Sequence, residues 1–493
     1  MGQHFVPPSA DPPGASVPGR IAAQLRARID SGALRPGERV PSTRRAAELF
    51  GASRGSVVAA YEQLHGEGYL EATRAGTRVH PSLPQRHARP QTGGEAPQAA
   101  GSASHQRAGV QAAVLTPGVP DTTRLTSTLW RSSWRMAAAD ACSGYPPPGS
   151  SRLIDQLARH IRASRSITSG NLLMTAGTRD GLRLTLAGLR LRAGATHPGG
   201  GHAERLHIAV EDPGFPSLRA VLRAAGHLLV PVAIDAEGIS VAVLEGLKEV
   251  PDAVLVTPAH QYPLGTAMSA ARRLELISWA AACGVVIIED DYDSELRYSG
   301  EPLPALAATA GALGAEVVTL GSFAKSLSPG VGLGFVVAPD SLYPALLAAA
   351  RAGTPPSGMV QDALANFLAG DGLRRHIARM RRVYRRRREL VAEVLAPDKI
   401  PGGAVVRQMD GGLNAAVLVG YPQASEQAVV RHAHRMGLGA RGLSQYWWAS
   451  GDVAGSQGVV FGLGLGSAAR LTASLTKLRD AMWADAGRAR GTR

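Results

Sequence analysis

The stretch VVTLGSFAKSLSPG, residues 317–330, places a lysine directly after a short apolar run. The run is typical of a buried strand, and the small residues after it are typical of a loop. Lysine is rare in this chain, which uses arginine instead; it occurs only at Lys248, Lys325, Lys399 and Lys477. A desolvated lysine has a lowered pKa and can form a Schiff base with an aldehyde. The stretch therefore indicates that Lys325 is a candidate to form a Schiff base.

Apolar runs on both sides of this stretch alternate with helical patterns. They are LHIAV at 206–210, AVLVT at 253–257, VVII at 285–288 and GFVVA at 334–338. Strands that alternate with helices predict a mostly parallel sheet covered on both faces, and hence an α/β fold.

Five carboxylates follow the third of these runs, in the segment EDDYDSE at 289–295. This is the end of a strand at which open α/β sheets bind ligands. The segment lacks the spacing and the glycine of a calcium loop, so we expect no metal site. Alternatively, some of the acids, Glu289 and Asp293 among them, simply oppose arginines.

Two further strand ends carry weaker signals. The segment TAGTRD, residues 175–180, begins a helix whose free N–H groups can hold a phosphate. The run LHIAV leads into EDPGF at 211–215, which puts the ring of Phe215 at a strand end. Taken alone, such a ring is more often part of a core than of a cofactor site.

Three short amphipathic helices and a hairpin follow one another in residues 17–80. Pro36-Gly37 marks the first turn, and Gly51 ends the second helix. Ser53 can cap the third helix, and glycines, Gly76 among them, frame the hairpin. This order predicts a winged helix-turn-helix, in which the start of the third helix faces the major groove of DNA.

Composition limits the class of protein. The chain has 493 residues, a net charge of +14 and 45% hydrophobic residues, so it can bury a large core. Its two cysteines, Cys142 and Cys283, cannot build a disulfide scaffold, which favours a reducing interior. No apolar run reaches the roughly 18 residues of a membrane span, and the N-terminus has no signal pattern. We therefore expect a cytoplasmic protein without a membrane partner.

The basic excess is concentrated between residues 374 and 388, which hold nine arginines and no acid. On a helix they leave Ile377, Met380 and Tyr384 as a narrow apolar stripe. The arginines could pair with acids of a second subunit, lie along DNA or be solvated. We favour a structural or dimer-interface role over DNA contact.

Residues 83–112 are rich in Pro, Gly, Ser, Gln and Ala and have little to bury. They are interpreted as a flexible linker. The expected domains are therefore 14–82 and 113–485.

The wording of residues 31–79, SGALRPGERVPSTRRAAELFGASRGSVVAAYEQLHGEGYLEATRAGTRV, resembles the DNA-binding domain of GntR-family transcription regulators. The resemblance implies double-stranded operator DNA as a partner. The implied DNA contacts are Arg44, Ser53, Arg54, Ser56, Gly76 and Thr77. Arginine can bind guanine bidentately, while hydroxyls and backbone amides can reach phosphates.

The larger domain resembles the aminotransferase-like, fold type I domain of pyridoxal-phosphate enzymes, and the whole chain resembles the MocR subfamily of GntR regulators. The matching stretches are TPAHQYPLGTAMSAARRLELISWA at 257–280, IIEDDYDSELRYSGEPLPAL at 287–306, GSFAKSLSPG at 321–330 and HIARMRRVYRRRREL at 376–390. Fold type I domains bind their cofactor near a subunit interface, so the resemblance also implies a homodimer.

Pyridoxal 5'-phosphate is the implied cofactor, with Lys325 as the Schiff-base lysine. Asp290 would pair with the pyridine nitrogen, Tyr292 would bond the phenolic oxygen and Phe215 would stack on the ring. His260 would line the other edge of the ring. The implied phosphate ligands are Gly177, Thr178 and Ser322.

Two positions depart from the family pattern. Gly332 stands where the family has an arginine that binds the cofactor phosphate. The stretch from Val460 lacks the arginine that binds a substrate carboxylate in aminotransferases, and Arg441 is a possible substitute. Both departures argue against efficient transamination.

We therefore expect a DNA-binding regulator whose vestigial aminotransferase domain binds pyridoxal phosphate. An amino compound is the candidate effector. One alternative is a working aminotransferase with an accessory DNA-binding domain. The other is a regulator whose large domain has lost the cofactor and only dimerises.

Overall fold

The computed structural model describes residues 16–30, 33–73, 76–81, 113–140, 144, 146–196, 205–298, 303–407, 410–420, 425–448 and 456–491. The predicted linker, 83–112, and Cys142 lie outside these residues. Among the helices in the described ranges, none combines the length and apolar character that a membrane crossing requires.

The N-terminal domain is a winged helix-turn-helix, as predicted. Its elements are α1 (Val17–Asp30), α2 (Thr43–Phe50), α3 (Arg54–Gly66), β1 (Leu70–Thr73) and β2 (Gly76–Val79). Side chains cap both helices of the turn: Ser42 accepts from the amide of Arg45, and Ser53 accepts from the amide of Ser56. Gly51 ends α2 in the left-handed region, at φ +57°. These local signals fix the angle between α2 and α3.

An eight-stranded sheet forms the centre of the large domain, with the order β3-β10-β9-β8-β7-β4-β5-β6. Its strands are β3 (Asn171–Thr175), β4 (His207–Asp212), β5 (Leu228–Asp235), β6 (Gly238–Ile239), β7 (Ala253–Val256), β8 (Val286–Asp291), β9 (Val317–Ser322) and β10 (Gly334–Ala338). The neighbouring pairs β5-β4, β4-β7, β7-β8 and β8-β9 are parallel, whereas β10 is antiparallel to both β3 and β9. The prediction of a mostly parallel sheet is confirmed.

Helices cover both faces of this sheet because its central strands are apolar on both sides. On β8, Ile287 packs on one face with Ile277 of the preceding helix, while Ile288 packs on the other face with Leu182. The helices of the chain after the winged helix are α4 (Thr128–Ala139), α5 (Ser151–Arg165), α6 (Thr178–Thr196), α7 (Pro216–Ala224), α8 (Val241–Glu245), α9 (Ala270–Cys283), α10 (Ala307–Ala310), α11 (Tyr343–Arg351), α12 (Gly358–Ala369), α13 (Gly372–Val394), α14 (Glu426–Arg435) and α15 (Ala468–Gly491).

A second, antiparallel sheet follows α13. Its strands are β11 (Ala404–Val406), β12 (Asn414–Val419), β13 (Arg441–Gly442) and β14 (Gly458–Gly462), in the order β11-β12-β14-β13. It packs with α13, α14 and α15 around a core that includes Tyr384 and Leu475. The small sheet brings β14 close to the carboxyl ends of the large sheet, where the candidate site lies.

The arginine-rich segment lies within α13, and most of its arginines bind groups of their own chain. Arg381 donates to the carbonyl of Glu295 at 2.6 Å, and Arg385 donates to the carbonyl of Tyr298. Arg387 is buried; it donates to the carbonyls of Leu463 and Gly464 and forms an ion pair with Asp121 at 2.7 Å. The helix is therefore a structural brace between the two sheets.

Candidate functional site

Lys325 lies just beyond β9, at the edge of the sheet where the parallel strands end. Its Nζ donates to the carbonyl oxygen of Gly118 at 2.5 Å. Burial lowers the pKa of Lys325, while the carboxylates of Asp293 and Asp290 act in the opposite direction. A lowered pKa increases the neutral fraction of the amine, which is the form that attacks an aldehyde.

Asp290, on β8, is a buried carboxylate near this lysine. Neither of its oxygens has a hydrogen-bond partner among the residues that the structure describes. Burial and the charges of Asp291 and Asp293 raise its pKa well above the usual value, and Lys325 opposes this rise. A buried carboxylate without a partner is costly. A protonated ring nitrogen would offset that cost, so the donor set fits a pyridine cofactor.

The remaining acids of the 289–295 segment have other partners. The alternative that acids of this segment oppose arginines holds in part for Glu289, because the charge of Arg273 opposes the rise in its pKa that burial causes. Glu289 also accepts from the amide of Leu306 at 3.1 Å and from the hydroxyl of Thr319. Asp293 lies 3.2 Å from Nδ1 of His260. The acids that pair with an arginine are Asp291 and Glu295, both with the buried Arg165.

Aromatic side chains form one wall of the site. The ring centroids of Phe215 and Tyr262 are 4.9 Å apart in an edge-to-face arrangement. The hydroxyls of Tyr262 and Tyr446 are 3.2 Å apart. Phe215 immediately precedes α7 and is half-buried, so its ring has a face left for a ligand. Tyr446 has no counterpart in the sequence-based prediction.

Tyr292 and His260 contact each other. The hydroxyl of Tyr292 donates to the carbonyl of His260 at 2.8 Å and also lies 3.0 Å from its Nδ1. Burial raises the pKa of Tyr292 well above the usual value, and the charge of Asp293 adds to this rise. The Nε2 atom of His260 is buried and has no partner in the described part of the chain. His260 thus orients Tyr292, a contact that the sequence did not indicate.

The turn before α6 and the end of β9 form a small cradle. Gly177 has φ +107°, and Thr178 is the first residue of α6. Ser322, the last residue of β9, accepts from the amide of Ala324 at 3.0 Å. Gly334, the first residue of β10, pairs with Ser322. A Cβ at Gly334 would lie 2.7 Å from the Cα of Gly177, so the turn before α6 lies close to this strand pair. The turn and strand end therefore supply amide and hydroxyl groups side by side.

Gly332 occupies the position at which the family resemblance implies a phosphate-binding arginine. It lies in the left-handed region at φ +58°, and a Cβ there would meet no atom within 4 Å. The carboxylate of Asp180 accepts from the amide of Ala176 at 2.9 Å, which occupies one donor of the helix start.

Distant residues complete the site without any local signal. The amide of Gly118 donates to the side-chain oxygen of Asn414 at 2.6 Å, although the two are far apart in sequence. Glu211 accepts from the amide and hydroxyl of Thr257, and burial raises its pKa to about 7. Neither Gly118 nor Asn414 could be found from sequence spacing.

Arg441 lies directly opposite Val460 across strands β13 and β14. Residues paired in this way project from the same face of a sheet. Val460 packs with Tyr262, Tyr292 and Tyr446, so Arg441 stands on the face that looks toward the site. Arg441 is an exposed residue, and its side chain forms a hydrogen bond with the hydroxyl of Tyr446.

The predicted DNA-contact residues occupy α2, α3 and the wing. Arg44 is exposed on α2, and Arg54 is exposed as the first residue of α3. The hydroxyls of Ser53 and Ser56 are 2.9 Å apart at the start of the same helix. Gly76 and Thr77 begin the second strand of the wing. The structure thus brings Ser53, Arg54 and Ser56 together.

Fold and site together define a winged-helix DNA-binding domain joined to an aminotransferase-like domain. Bacterial regulatory proteins of the gntR family match residues 19–79, and aminotransferases of class I and II match residues 116–415. The chain belongs to the MocR-type GntR transcription regulators and is a DNA-binding regulator.

Similar regulators cover nearly the whole chain. The pyridoxine biosynthesis transcriptional regulator PdxR of Corynebacterium glutamicum is 37% identical over 476 residues, which cover 95% of this chain and 96% of the relative. The probable rhizopine catabolism regulatory protein MocR of Rhizobium meliloti is 28% identical, with 90% and 89% covered. The regulator TauR of Rhodobacter capsulatus is 32% identical, with 77% and 80% covered.

Solved structures share the fold of the large domain. Kynurenine aminotransferase of Pyrococcus horikoshii has a TM-score of 0.65 at 21% identity and covers 76% of this chain and 92% of its own. The α-aminoadipate aminotransferase LysN of Thermus thermophilus has the same TM-score and identity, with 76% and 93% covered.

Proposed function

We propose that this regulator binds pyridoxal 5'-phosphate at Lys325 and that binding changes its affinity for operator DNA. The observation that carries the proposal is the buried, unpartnered carboxylate of Asp290 close to a lysine whose pKa is lowered by burial. The relative from Corynebacterium supports the choice of ligand, because its name assigns it to pyridoxine biosynthesis.

Each residue of the site would have a separate task toward the cofactor. When bound, pyridoxal phosphate supplies an aldehyde and an electron-withdrawing ring. Lys325 would hold the aldehyde carbon, and Asp290 would hold a proton on the ring nitrogen. Tyr292, oriented by His260, would bond the phenolic oxygen, and Phe215 would cover one face of the ring. The phosphate would be held by Gly177, Thr178 and Ser322.

An amino compound is the second ligand that we propose. Arg441 would bind its carboxylate, because the guanidinium stands opposite Val460 and its charge acts on the hydroxyls of Tyr262 and Tyr446. The amine would then face Lys325.

On the DNA side, Arg54 and the hydroxyls of Ser53 and Ser56 would enter the major groove, with Arg44 beside them and the wing at Gly76-Thr77 on the backbone. A homodimer would present two winged helices to two half-sites. Light scattering of the purified protein tests this point, and a single-chain mass of 51.3 kDa would contradict it.

Substitution of the lysine tests the cofactor proposal. Purified wild type mixed with pyridoxal phosphate should develop a visible absorbance band that survives desalting, and Lys325→Ala should not. Lys399→Ala is the matched control, since Lys399 lies on the surface and its side-chain amine donates to the carbonyl of Glu393. A band in Lys325→Ala equal to that of wild type would reject the assignment. No band in wild type would favour a large domain that only dimerises, and amino-acid turnover above background would favour an aminotransferase.

A further inference from the structure

Residues 257–280 connect the candidate site to the winged helix, and the proposed function gives this connection no role. The segment begins with the site residues His260 and Tyr262. It continues into α9, whose first turn contacts the DNA-binding domain.

The contact is formed by residues 67–69, the corner after α3, and by the start of α9. The amide of Ala270 donates to the carbonyl of Glu67 at 2.5 Å. A Cβ at Gly68 would lie 3.0 Å from the Cβ of Ser269, so the two backbones are in close contact. Ala270 is 1% exposed and, with Leu274, packs against the winged-helix core. The two domains therefore share one hydrophobic core at this point.

Arg273 ties this docked turn to the site segment. Its Nε donates to the carbonyl of Met268 at 3.0 Å, and its Nη2 donates to the carbonyl of Pro258 at 2.8 Å. These two carbonyls bracket His260 and Tyr262 in the sequence. The Nη1 atom donates to Pro304 at 2.8 Å. Because one side chain holds both ends of the site segment, the segment and the first turn of α9 are mechanically connected.

A second connection passes through Arg297, which lies four residues after Asp293. A Cβ at Gly66, the last residue of α3, would lie 3.6 Å from Nη2 of Arg297. A small cavity of about 10 Å³ is lined by His260, Asp293 and Arg297 together with neighbouring residues.

A second small cavity, of about 20 Å³, lies between Tyr69 of the winged helix and Leu274 of α9. Each cavity has room for about one water molecule, so the site segment and the winged helix are otherwise closely packed here.

We propose that residues 258–274 transmit occupancy of the Lys325 site to the docked winged helix, with Ala270 as the docking residue and Arg273 as the positioning residue. The inference rests on the proposed function, which assigns the ligand. A ligand that shifts His260 or Tyr262 would shift Pro258 and Met268, and through Arg273 the turn on which the winged helix rests. Such coupling is reciprocal, so operator DNA would change cofactor affinity by the same factor.

Ala270→Arg separates docking from ligand binding, because a long charged side chain cannot fit into the shared core. The control is Ala282→Arg, the same substitution at an exposed position of the same helix. The probe is a DNA duplex selected by the wild-type protein from a random-sequence pool, and its Kd is measured with and without saturating pyridoxal phosphate. The ratio of the two Kd values should fall to about one in Ala270→Arg and stay at the wild-type value in Ala282→Arg. An unchanged ratio in Ala270→Arg would overturn the proposal.

Hydrogen exchange of the full chain without ligand provides an arm that does not depend on the cofactor. Amides of residues 67–70 and 270–274 should be protected in wild type and should lose protection in Ala270→Arg. His260→Ala, at the other end of the segment, should also lower protection at residues 67–70; no change there would overturn the connection. If wild type develops no absorbance band but His260→Ala loosens this corner, the cofactor assignment fails while the connection stands.

Discussion

Asp290 shows how a single residue can be unfavourable to the fold and useful to a ligand. An unsatisfied buried acceptor costs about 1–3 kcal/mol, a notable part of the stability of any domain. Its neighbours on β8 avoid this cost, since Glu289 bonds Leu306 and Thr319 while Asp291 pairs with Arg165. Among the acids of β8, Asp290 is therefore the one whose two oxygens both lack a partner in the described part of the chain.

At position 332 we expect an arginine to strengthen cofactor binding. The charge-assisted bond to a phosphate contributes about 1.5–3 kcal/mol. Holding a non-glycine residue at φ +58° costs about 1–2 kcal/mol with and without the cofactor, so this strain lowers stability and not affinity. We therefore expect Gly332→Arg to lower the Kd for pyridoxal phosphate about tenfold or more. The Kd is measured by titration of the visible absorbance.

Gly330→Arg is the control for this prediction, because Gly330 is exposed in the same short turn at an ordinary φ, and a Cβ there would meet the Oγ of Ser328 at an ordinary contact distance of 3.5 Å. It should leave the Kd unchanged. Equal affinity of Gly332→Arg and wild type would mean that the phosphate does not lie beside this turn.

At the scale of elements, α13 shows that a high positive charge need not indicate a polyanion-binding function. Its high arginine content suggests a polyanion partner, yet the structure uses these side chains to satisfy carbonyls at the ends of other elements. Arg387 is the clearest case, because three carbonyls and Asp121 surround one buried guanidinium. Arg386, one residue earlier, is exposed and contacts only Glu389.

The two adjacent arginines predict very different losses of stability. Arg387→Met should lower the free energy of unfolding by about 3 kcal/mol or more, since it leaves Asp121 buried without its partner. Arg386→Met should change it by less than about 0.5 kcal/mol. Urea unfolding followed by tryptophan fluorescence measures both. Equal effects would show that the helix is not a brace.

Sequence patterns were sufficient where a signal is local. Ser42, Gly51 and Ser53 mark the ends of α2 and α3 through caps that involve residues only three or four positions away. The five runs of the large sheet were readable because both of their faces are buried. The small sheet was not predicted, because β13 has only two residues and β14 is rich in glycine and valine without alternation.

Contacts between distant residues were out of reach. The partner of Asp291 is Arg165, which lies in α5, and the carbonyl that Lys325 bonds belongs to Gly118. No spacing rule connects such positions. The run of five acids was correctly placed at a strand end, but sequence alone could not distinguish the unpartnered Asp290 from the satisfied acids around it.

For the whole molecule, the position of the docked corner matters. The winged helix contacts α9 through residues after the end of α3, whereas Arg54 lies at the start of that helix and is exposed. The end of α3 that we propose to read DNA and the docked end are thus at opposite termini. Docking therefore leaves Arg54 exposed.

Arg54→Ala should weaken binding to the selected duplex at least tenfold, the effect expected for an arginine that contacts base edges. Gel-shift titration at fixed salt measures the change. Arg386→Ala, on the exposed side of α13, is the comparison and should change affinity little. The reverse order of the two effects would move the DNA interface from the winged helix to the large domain.

If the cofactor binds as proposed, Gly332 would also affect the range of cofactor concentration over which the regulator responds. A site is half full when free ligand equals its Kd, and occupancy changes most steeply around that point. A very tight site stays saturated at nearly every concentration, so its occupancy carries no information about supply. Loss of one phosphate-binding charge raises the Kd and moves the midpoint to higher concentrations. In an enzyme, this glycine would reduce the occupancy of the cofactor site. In a regulator, the same glycine would let the occupancy of the site change with the cofactor concentration.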